Sequence, residues 1–237
     1  MRSFLIGTLL ATALLVAGCG GSSSSGNGEA TKTASRVLAD TIKASGAARS
    51  FHLSGFIRSN HGPIVLDFSV ANGRGAVGTI IFARHKVQMV IVGKNGYVKA
   101  DTPGWSELAG PSGPMFARRL HGRWLKFPAN NPGFQNLLDY TRPKALFAEL
   151  DSYDSALANK GKRTYQGHAV VELHDEVNNG TLYVASSGPP YPLKFVRSSG
   201  SSIITANQGG TINFTDWNKP VTLTAPQGAV DLAHLNG

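Results

Sequence analysis

Apolar and polar side chains alternate along two long stretches of this chain, and this two-residue period limits its possible folds more than any other feature. Phe51, Leu53 and Ile57 alternate with polar neighbours, and the rule continues from Ile64 to Val70 after a turn. Because successive side chains of a β-strand point to opposite faces, the pattern predicts strands with one buried face. Three more strands are predicted after these, at residues 77–83, 87–92 and 97–100.

A second stretch repeats the alternation beyond Lys160. Ala169, Val171 and Leu173 alternate with their neighbours, and Asn178-Asn179-Gly180 is typical of a tight turn. The remaining strands are predicted at residues 181–185, 192–197, 202–206, 210–216 and 221–224. The chain is therefore expected to form two antiparallel meanders of about ten strands in all.

Helices are predicted in two places. Residues 29–45 place Ala34, Val37, Leu38, Thr41 and Ile42 on one helical face, and Gly46 is a candidate end of this helix. In the Pro- and Gly-rich middle of the chain, short helices are predicted at residues 114–121, 134–140 and 143–150. The predicted fold is α+β, with one strongly curved antiparallel sheet, a half-barrel, whose concave face is covered by helices. A helical insert is expected over about residues 112–153.

The amino terminus has the sequence pattern of a bacterial lipoprotein signal. The apolar run from Phe4 to Val16 is too short to cross a bilayer, which needs about 20 residues. Val16-Ala17-Gly18-Cys19 matches the lipobox, in which the cysteine sulfur receives a diacylglyceryl group. We expect a signal peptide at residues 1–18, a lipidated Cys19, and a flexible Gly/Ser tether to residue 28. The alternative is an ordinary secretory signal with an incidental cysteine.

Composition limits what the rest of the chain can be. Residues 29–237 are enough for one domain with a substantial core, and Cys19 is the only cysteine, so no disulfide framework is expected. The formal net charge of +9 favours anionic surfaces such as lipid headgroups. Nucleic acid is not an expected partner, because no basic-aromatic motif of a nucleic-acid module is present. The expected location is the extracytoplasmic face of the cell membrane.

The sequence does not support an enzyme, and no metal or cofactor is expected. His168, Glu172 and His174 share one strand face and could hold a metal, although a solvated polar face explains them better. Gly-x-Ser-x-Gly is absent. The run Gly73–Gly78 imitates a dinucleotide-binding loop, but no βαβ unit surrounds it, so it is interpreted as a hairpin turn.

Several short motifs resemble those of a known lipoprotein family. They are Tyr97-Val98-Lys99, Trp105, Gly122-Arg123-Trp124-Leu125-Lys126, Tyr191-Pro192-Leu193-Lys194 and the stretch from Ile212 to Val221. Together with the lipobox, they resemble actinobacterial lipoproteins of the LppX/LprG type (the LppX_LprAFG group), which are distant structural relatives of LolA. The resemblance implies a half-open β-barrel with an apolar cavity for acyl chains, a role in carrying lipids or glycolipids, and no metal or cofactor.

The candidate ligand-binding residues are apolar side chains on the predicted inner faces, although each could equally be solid core. They are Phe51, Leu53, Ile57, Leu66, Phe68, Met89, Ile91, Leu137, Phe147, Val171, Leu173 and Phe195. Arg118, Arg119 and Arg123 are either headgroup contacts at the cavity mouth or a solvated edge.

Two functions follow from these features. The first is a monomeric, membrane-anchored carrier or chaperone of lipid or glycolipid, with an envelope transporter as a candidate partner. The second is a ligand-free interaction or sensor module tethered to the outer face of the cytoplasmic membrane.

Overall fold

One twelve-stranded sheet organises the structure, a computed structural model. It describes residues 26–59, 62–82, 84–134, 138–139, 141–142, 157–177, 179–197 and 209–235. The sheet is open, with edge strands β12 and β7, and all its neighbouring strands are antiparallel except β12 and β6. The predicted fold class, a curved antiparallel half-barrel with helices on its concave face, is confirmed.

The first meander follows the sequence pattern closely. Its strands are β1 (Ser50–Ser59), β2 (Gly62–Ala71), β3 (Gly75–Phe82), β4 (His85–Val92), β5 (Asn95–Ala100) and β6 (Leu125–Pro128). Each strand pairs with the next in the chain, as in Leu53 with Phe68 and Met89 with Val98. The run Gly73–Gly78 contains the β2–β3 turn and the start of β3, as interpreted from the sequence.

The second meander joins the first through a pairing that is distant in sequence. Its strands are β7 (Leu157–Tyr165), β8 (His168–Asp175), β9 (Gly180–Ala185), β10 (Pro192–Arg197) and β11 (Gly210–Thr215), and β12 is Val230–Asp231. β11 pairs with β1, which places Phe214 opposite Leu53. β12 returns to pair in parallel with β6 at the other edge. This β1–β11 seam turns two local meanders into one sheet.

Three α-helices complete the described fold: α1 (Ala34–Ala47), α2 (Thr102–Ala109) and α3 (Gly113–Leu120). α1 begins at residue 34, because Thr33 is the N-cap and residues 29–31 form a separate 3₁₀ turn. The predicted start at Glu29 was therefore wrong. Gly46 is not the helix end either, since it lies inside α1. Within the described ranges, no helix is long and apolar enough to cross a membrane.

α1 packs its predicted face onto the inner face of the sheet. Val37 and Leu38 are fully buried and belong to the same cluster as Phe51, Leu53 and Leu66. The inner face is formed by alternate residues of the strands, as the two-residue period predicts. Burial of this face is the main source of stability, at about 25 cal/mol per Å² of apolar surface.

The structure corrects the prediction in the middle and at the end of the chain. α2 and β6 were not predicted, and β6 lies inside the segment expected to be a helical insert. Residues 221–224 were predicted as a strand, but they have no strand partner. Their alternation has a different cause: Val221 and Leu223 are half-buried while Thr222 and Thr224 are exposed, so one side of an extended segment lies against the sheet. The predicted elements at 143–150 and 202–206 lie outside the described residues.

Candidate functional site

Most of the predicted cavity residues lie in the buried core. Phe51, Leu53, Ile57, Leu66, Phe68, Met89, Val171 and Leu173 are all buried in one cluster. Ile91 and Phe195 are half-buried and pack against this cluster. Leu137 and Phe147 lie outside the described residues, as does Cys19. The structure therefore brings ten of the twelve candidates together on the inner face of the sheet.

A pocket opens from the inner face at one end of the sheet. Its volume is about 460 Å³. Val70, Ile91 and Leu138 supply its apolar wall, and its rim is formed by the β2–β3 turn (residues 72–74), Gly93 and Arg142. The lining combines core-facing apolar residues with exposed turns, so the pocket has the buried core on one side and solvent on the other. We call this site the mouth pocket.

A second pocket of about 690 Å³ adjoins the mouth pocket. The two share Gly93, Ala129 and Arg142, and the second adds Lys94 and Asn130. The two pockets thus form one cleft that runs along the β4–β5 turn.

Hydrogen bonds fix the turns that surround the mouth pocket. The Gly93 N–H donates to the carbonyl of Arg74 (3.2 Å), which links the β4–β5 turn to the β2–β3 turn. Asn72 Nδ2 donates to the carbonyls of Ser45 (2.9 Å) and Ala48 (2.6 Å) at the end of α1. These bonds satisfy carbonyls that a helix end leaves without partners. The rim is therefore held to both the sheet and α1.

The opposite end of the sheet is closed by α2 and α3. Trp105 is 1% exposed, and its ring stacks on Phe116 with centroids 5.4 Å apart. α2 follows directly after β5 and contacts β4 and β5 at the end away from the mouth pocket. The interior is thus covered at the α2–α3 end and open at the other.

The arginines predicted to bind headgroups lie on the α2–α3 side. Arg119 Nη1 donates to the carbonyl of Leu235, and Arg123 Nε donates to the carbonyl of Leu120 (3.2 Å). Neither these two nor Arg118 lines the mouth pocket. Sequence reasoning missed Arg74 and Arg142 at the rim of the mouth pocket and Lys94 in the adjoining pocket. Their only sequence signal is a position at or near turns, which many solvated residues share.

His168, Glu172 and His174 lie on a polar strand face. His174 and Glu172 contact polar side chains nearby. His174 Nδ1 lies 3.1 Å from Thr181 Oγ1, and Glu172 Oε2 lies 3.8 Å from Arg163 Nε. Across the part of the chain that the structure describes, no group of three or more His, Cys, Asp or Glu residues could hold a metal ion.

The fold and this opening define an open half-barrel with an apolar interior, and the solved structure of LprF shares that fold. LprF from Mycobacterium bovis aligns with a TM-score of 0.50 and 16% identity, over 82% of this chain and 97% of LprF. The Mycobacterium tuberculosis lipoprotein LppX aligns with a TM-score of 0.46 and 14% identity, over 80% of this chain and 98% of LppX. The predicted LppX/LprG-type fold is confirmed. No protein-family model and no curated protein matches the sequence.

Proposed function

We propose that this protein is an envelope lipoprotein, anchored through Cys19, that binds the acyl chains of a lipid or glycolipid and acts as a carrier or chaperone. The single observation that carries this proposal is the mouth pocket, whose wall of core apolar residues is open to solvent. The lipobox supports the anchor, and the fold shared with LprF supports the type of cavity.

The size of the mouth pocket suits one acyl chain. Small-molecule sites commonly have volumes of about 300–1,000 Å³, and 460 Å³ lies within this range. If a methylene group needs about 30 Å³, as a water molecule does in the liquid, the pocket holds on the order of 15 methylenes. Each methylene removed from water contributes about 0.8 kcal/mol, so a single chain supplies most of the binding free energy.

The packed middle of the interior favours the second candidate, a ligand-free interaction or sensor module. Phe68, Val171 and Leu53 are fully buried in one continuous cluster, and no ligand is needed to remove them from water. The two candidates differ in whether the mouth pocket is occupied by lipid.

Native mass spectrometry of the anchored protein in detergent tests the carrier function. We expect the wild-type chain to retain lipid from its host, and Ile91→Trp to lose it, because the larger ring fills the pocket wall. Val177→Trp is the matched control, since Val177 is 73% exposed and lies outside the mouth pocket. A wild-type chain without bound lipid, or an Ile91→Trp variant that keeps it, would contradict the carrier function and leave the interaction module.

The anchor is tested separately with Cys19→Ala. We expect this variant to lose the acyl mass of the amino-terminal peptide and the processing of the signal, because the cysteine sulfur is the acceptor. Mass spectrometry of the peptide from the membrane fraction measures both. An unacylated Cys19 in the wild-type chain would overturn the anchor.

A further inference from the structure

Hydrogen bonds made by Asn27 fix the place where the amino-terminal tether leaves the folded domain, and we call this set of bonds the latch. The Asn27 N–H donates to the carbonyl of Ser186 (2.8 Å), and Asn27 Nδ2 donates to the carbonyls of Ala185 (2.9 Å) and Gly188 (3.1 Å). Asn27 Oδ1 in turn accepts from the Glu29 N–H (3.3 Å). The chain from Asn27 onward is therefore tied to the β9–β10 turn.

The register of the sheet places this latch and the mouth pocket at the same end. Ser50 pairs with Ala71, and Gly75 pairs with Val92, so the start of β1 and the β2–β3 and β4–β5 turns share one end. Trp217, just after β11, donates from Nε1 to the carbonyl of Pro192 (3.2 Å), at the start of β10. The β9–β10 turn consequently lies at this end too.

The same end carries an excess of positive charge. We call the exposed residues Arg49, Arg74, Lys94, Arg142 and Lys219 the basic rim. Asp139 pairs with Arg142 (3.1 Å) and Asp216 pairs with Lys219 (2.6 Å). Among the described residues, the other three cations of the rim have no ion-pair partner, so the rim keeps a net positive charge. Positive side chains close to a bilayer are attracted by anionic headgroups.

The length of the tether prevents the opposite end of the sheet from resting on the bilayer. Six residues lie between Cys19 and Gly26, so their Cα atoms are seven steps apart and at most about 25 Å from each other. β1 alone is about 30 Å long, since its ten residues each rise about 3.3 Å. A tether that leaves the domain at Gly26, next to the latch, is therefore too short to let the α2–α3 end rest on the bilayer to which Cys19 is attached.

We infer that the basic rim is a membrane-docking surface, which holds the mouth pocket against an anionic bilayer. This inference rests on the acyl anchor at Cys19 in the proposed function. Docked in this way, a lipid passes between the bilayer and the interior without crossing bulk water, and the positive charge of the rim favours anionic lipids. The occupant of the rim is the bilayer surface itself.

Depth-dependent fluorescence quenching tests the orientation. The full acylated chain is reconstituted in nanodiscs of phosphatidylglycerol and phosphatidylcholine that include bromolipid, with bimane attached at Asn130→Cys or at Glu107→Cys. Asn130 is exposed beside the rim, and Glu107 is exposed on α2 at the opposite end. The new thiol is the only labelling site, because acylation consumes the sulfur of the sole native cysteine. We expect bromolipid to quench the label at 130 and to leave the label at 107 unquenched.

A pair of charge reversals tests the basic rim. Arg74→Glu with Lys94→Glu should abolish the selective quenching at residue 130, and so should nanodiscs of phosphatidylcholine alone. Arg84→Glu with Lys86→Glu makes the same change of net charge at the β3–β4 turn, at the opposite end of the same strands, and should leave the quenching unchanged.

The outcomes separate the two proposals. Equal quenching at 130 and 107, stronger quenching at 107, or quenching at 130 that survives the rim reversal overturns the docking surface and leaves the lipid-bound carrier intact. Absence of acyl mass on the Cys19 peptide of the same sample overturns the anchor, and the docking surface with it. Loss of retained lipid in the wild-type chain overturns the carrier function alone.

Discussion

Single polar residues determine how separate segments are held at the open end of the sheet. Asn72 joins the β2–β3 turn to the end of α1, and Asn27 joins the start of the domain to the β9–β10 turn. Lys32 plays a similar part, since its Nζ contacts both Glu29 Oε1 (2.6 Å) and Asp40 Oδ2 (2.7 Å). Because each bond joins backbone or side chains from different segments, its loss loosens more than one element.

The Lys32–Asp40 pair makes the stability depend on pH. The hydrogen bond from Lys32 holds the pKa of the Asp40 carboxyl below its ordinary value, and the positive charges of Lys32 and Arg36 lower it further. A carboxyl whose pKa is lower in the folded chain contributes stability above its unfolded pKa and loses it as the pH falls through the folded pKa. We therefore expect Asp40→Asn to be less stable than wild type at neutral pH and to approach it in acid, below about pH 4.

Urea unfolding at a series of pH values measures this difference. Glu107→Gln is the control, because Glu107 is exposed and has no described ion-pair partner. A difference between Asp40→Asn and wild type that stays constant from neutral pH into acid would contradict the role of the pair.

The α2–α3 pair shows how elements with weak sequence signals close the interior. Pro103 and Gly104 disfavour a helix in isolation, but Pro103 lies in the first turn of α2, where its missing N–H is not needed. Asp101 caps this turn by accepting from the Gly104 N–H (2.7 Å). α3 then crosses so close to α2 that a side chain at Gly113 would collide with the backbone of Ser106.

Substitution of Trp105 tests whether packing between α2 and α3 holds these helices over the interior. We expect Trp105→Ala to lower the free energy of unfolding by about 3–5 kcal/mol, because it removes a large buried ring and the stacking of that ring on Phe116 of α3. Ser106→Ala, the exposed neighbour on the same helix, should change it by less than about 0.5 kcal/mol. Equal urea midpoints for the two variants would show that the ring does not hold the cover in place.

At the scale of the whole molecule, two long-range connections determine the shape. The β1–β11 seam joins the meanders, and the segment after β11 then runs past Ser50 and Gly75 to β12, which pairs with β6. The Asn218 N–H donates to the carbonyl of Ser50 (2.8 Å), and a side chain at Gly75 would touch Leu223. The last strand therefore closes on the first meander.

Gly55 is required at the seam. Its φ of 152° and its distance to the Thr211 carbonyl leave no room for a Cβ atom. We expect Gly55→Val to lose the cooperative unfolding transition, since the strands at the seam must separate. Near-ultraviolet circular dichroism and urea unfolding measure this loss.

Gly46→Ala is the matched control for the seam variant. Gly46 lies in α1, and an added Cβ would meet no atom within 4 Å. This variant should gain about 0.5–1 kcal/mol, the usual difference between alanine and glycine inside a helix. A Gly55→Val variant that unfolds at the wild-type urea concentration would contradict the role of the seam.

The sequence by itself determined the two meanders and their buried faces, because a two-residue period is local and each strand of a meander pairs with its neighbour in the chain. It also identified the apolar face of α1 and the LppX/LprG-type fold. Only the tertiary structure decided that β1 pairs with β11, that residues 221–224 lie unpaired beside the sheet, and that Arg74, Lys94 and Arg142 line the cleft formed by the mouth pocket and the adjoining pocket. These contacts join residues far apart in the chain, and their geometry depends on strand register and turn positions, which no local pattern of side chains encodes.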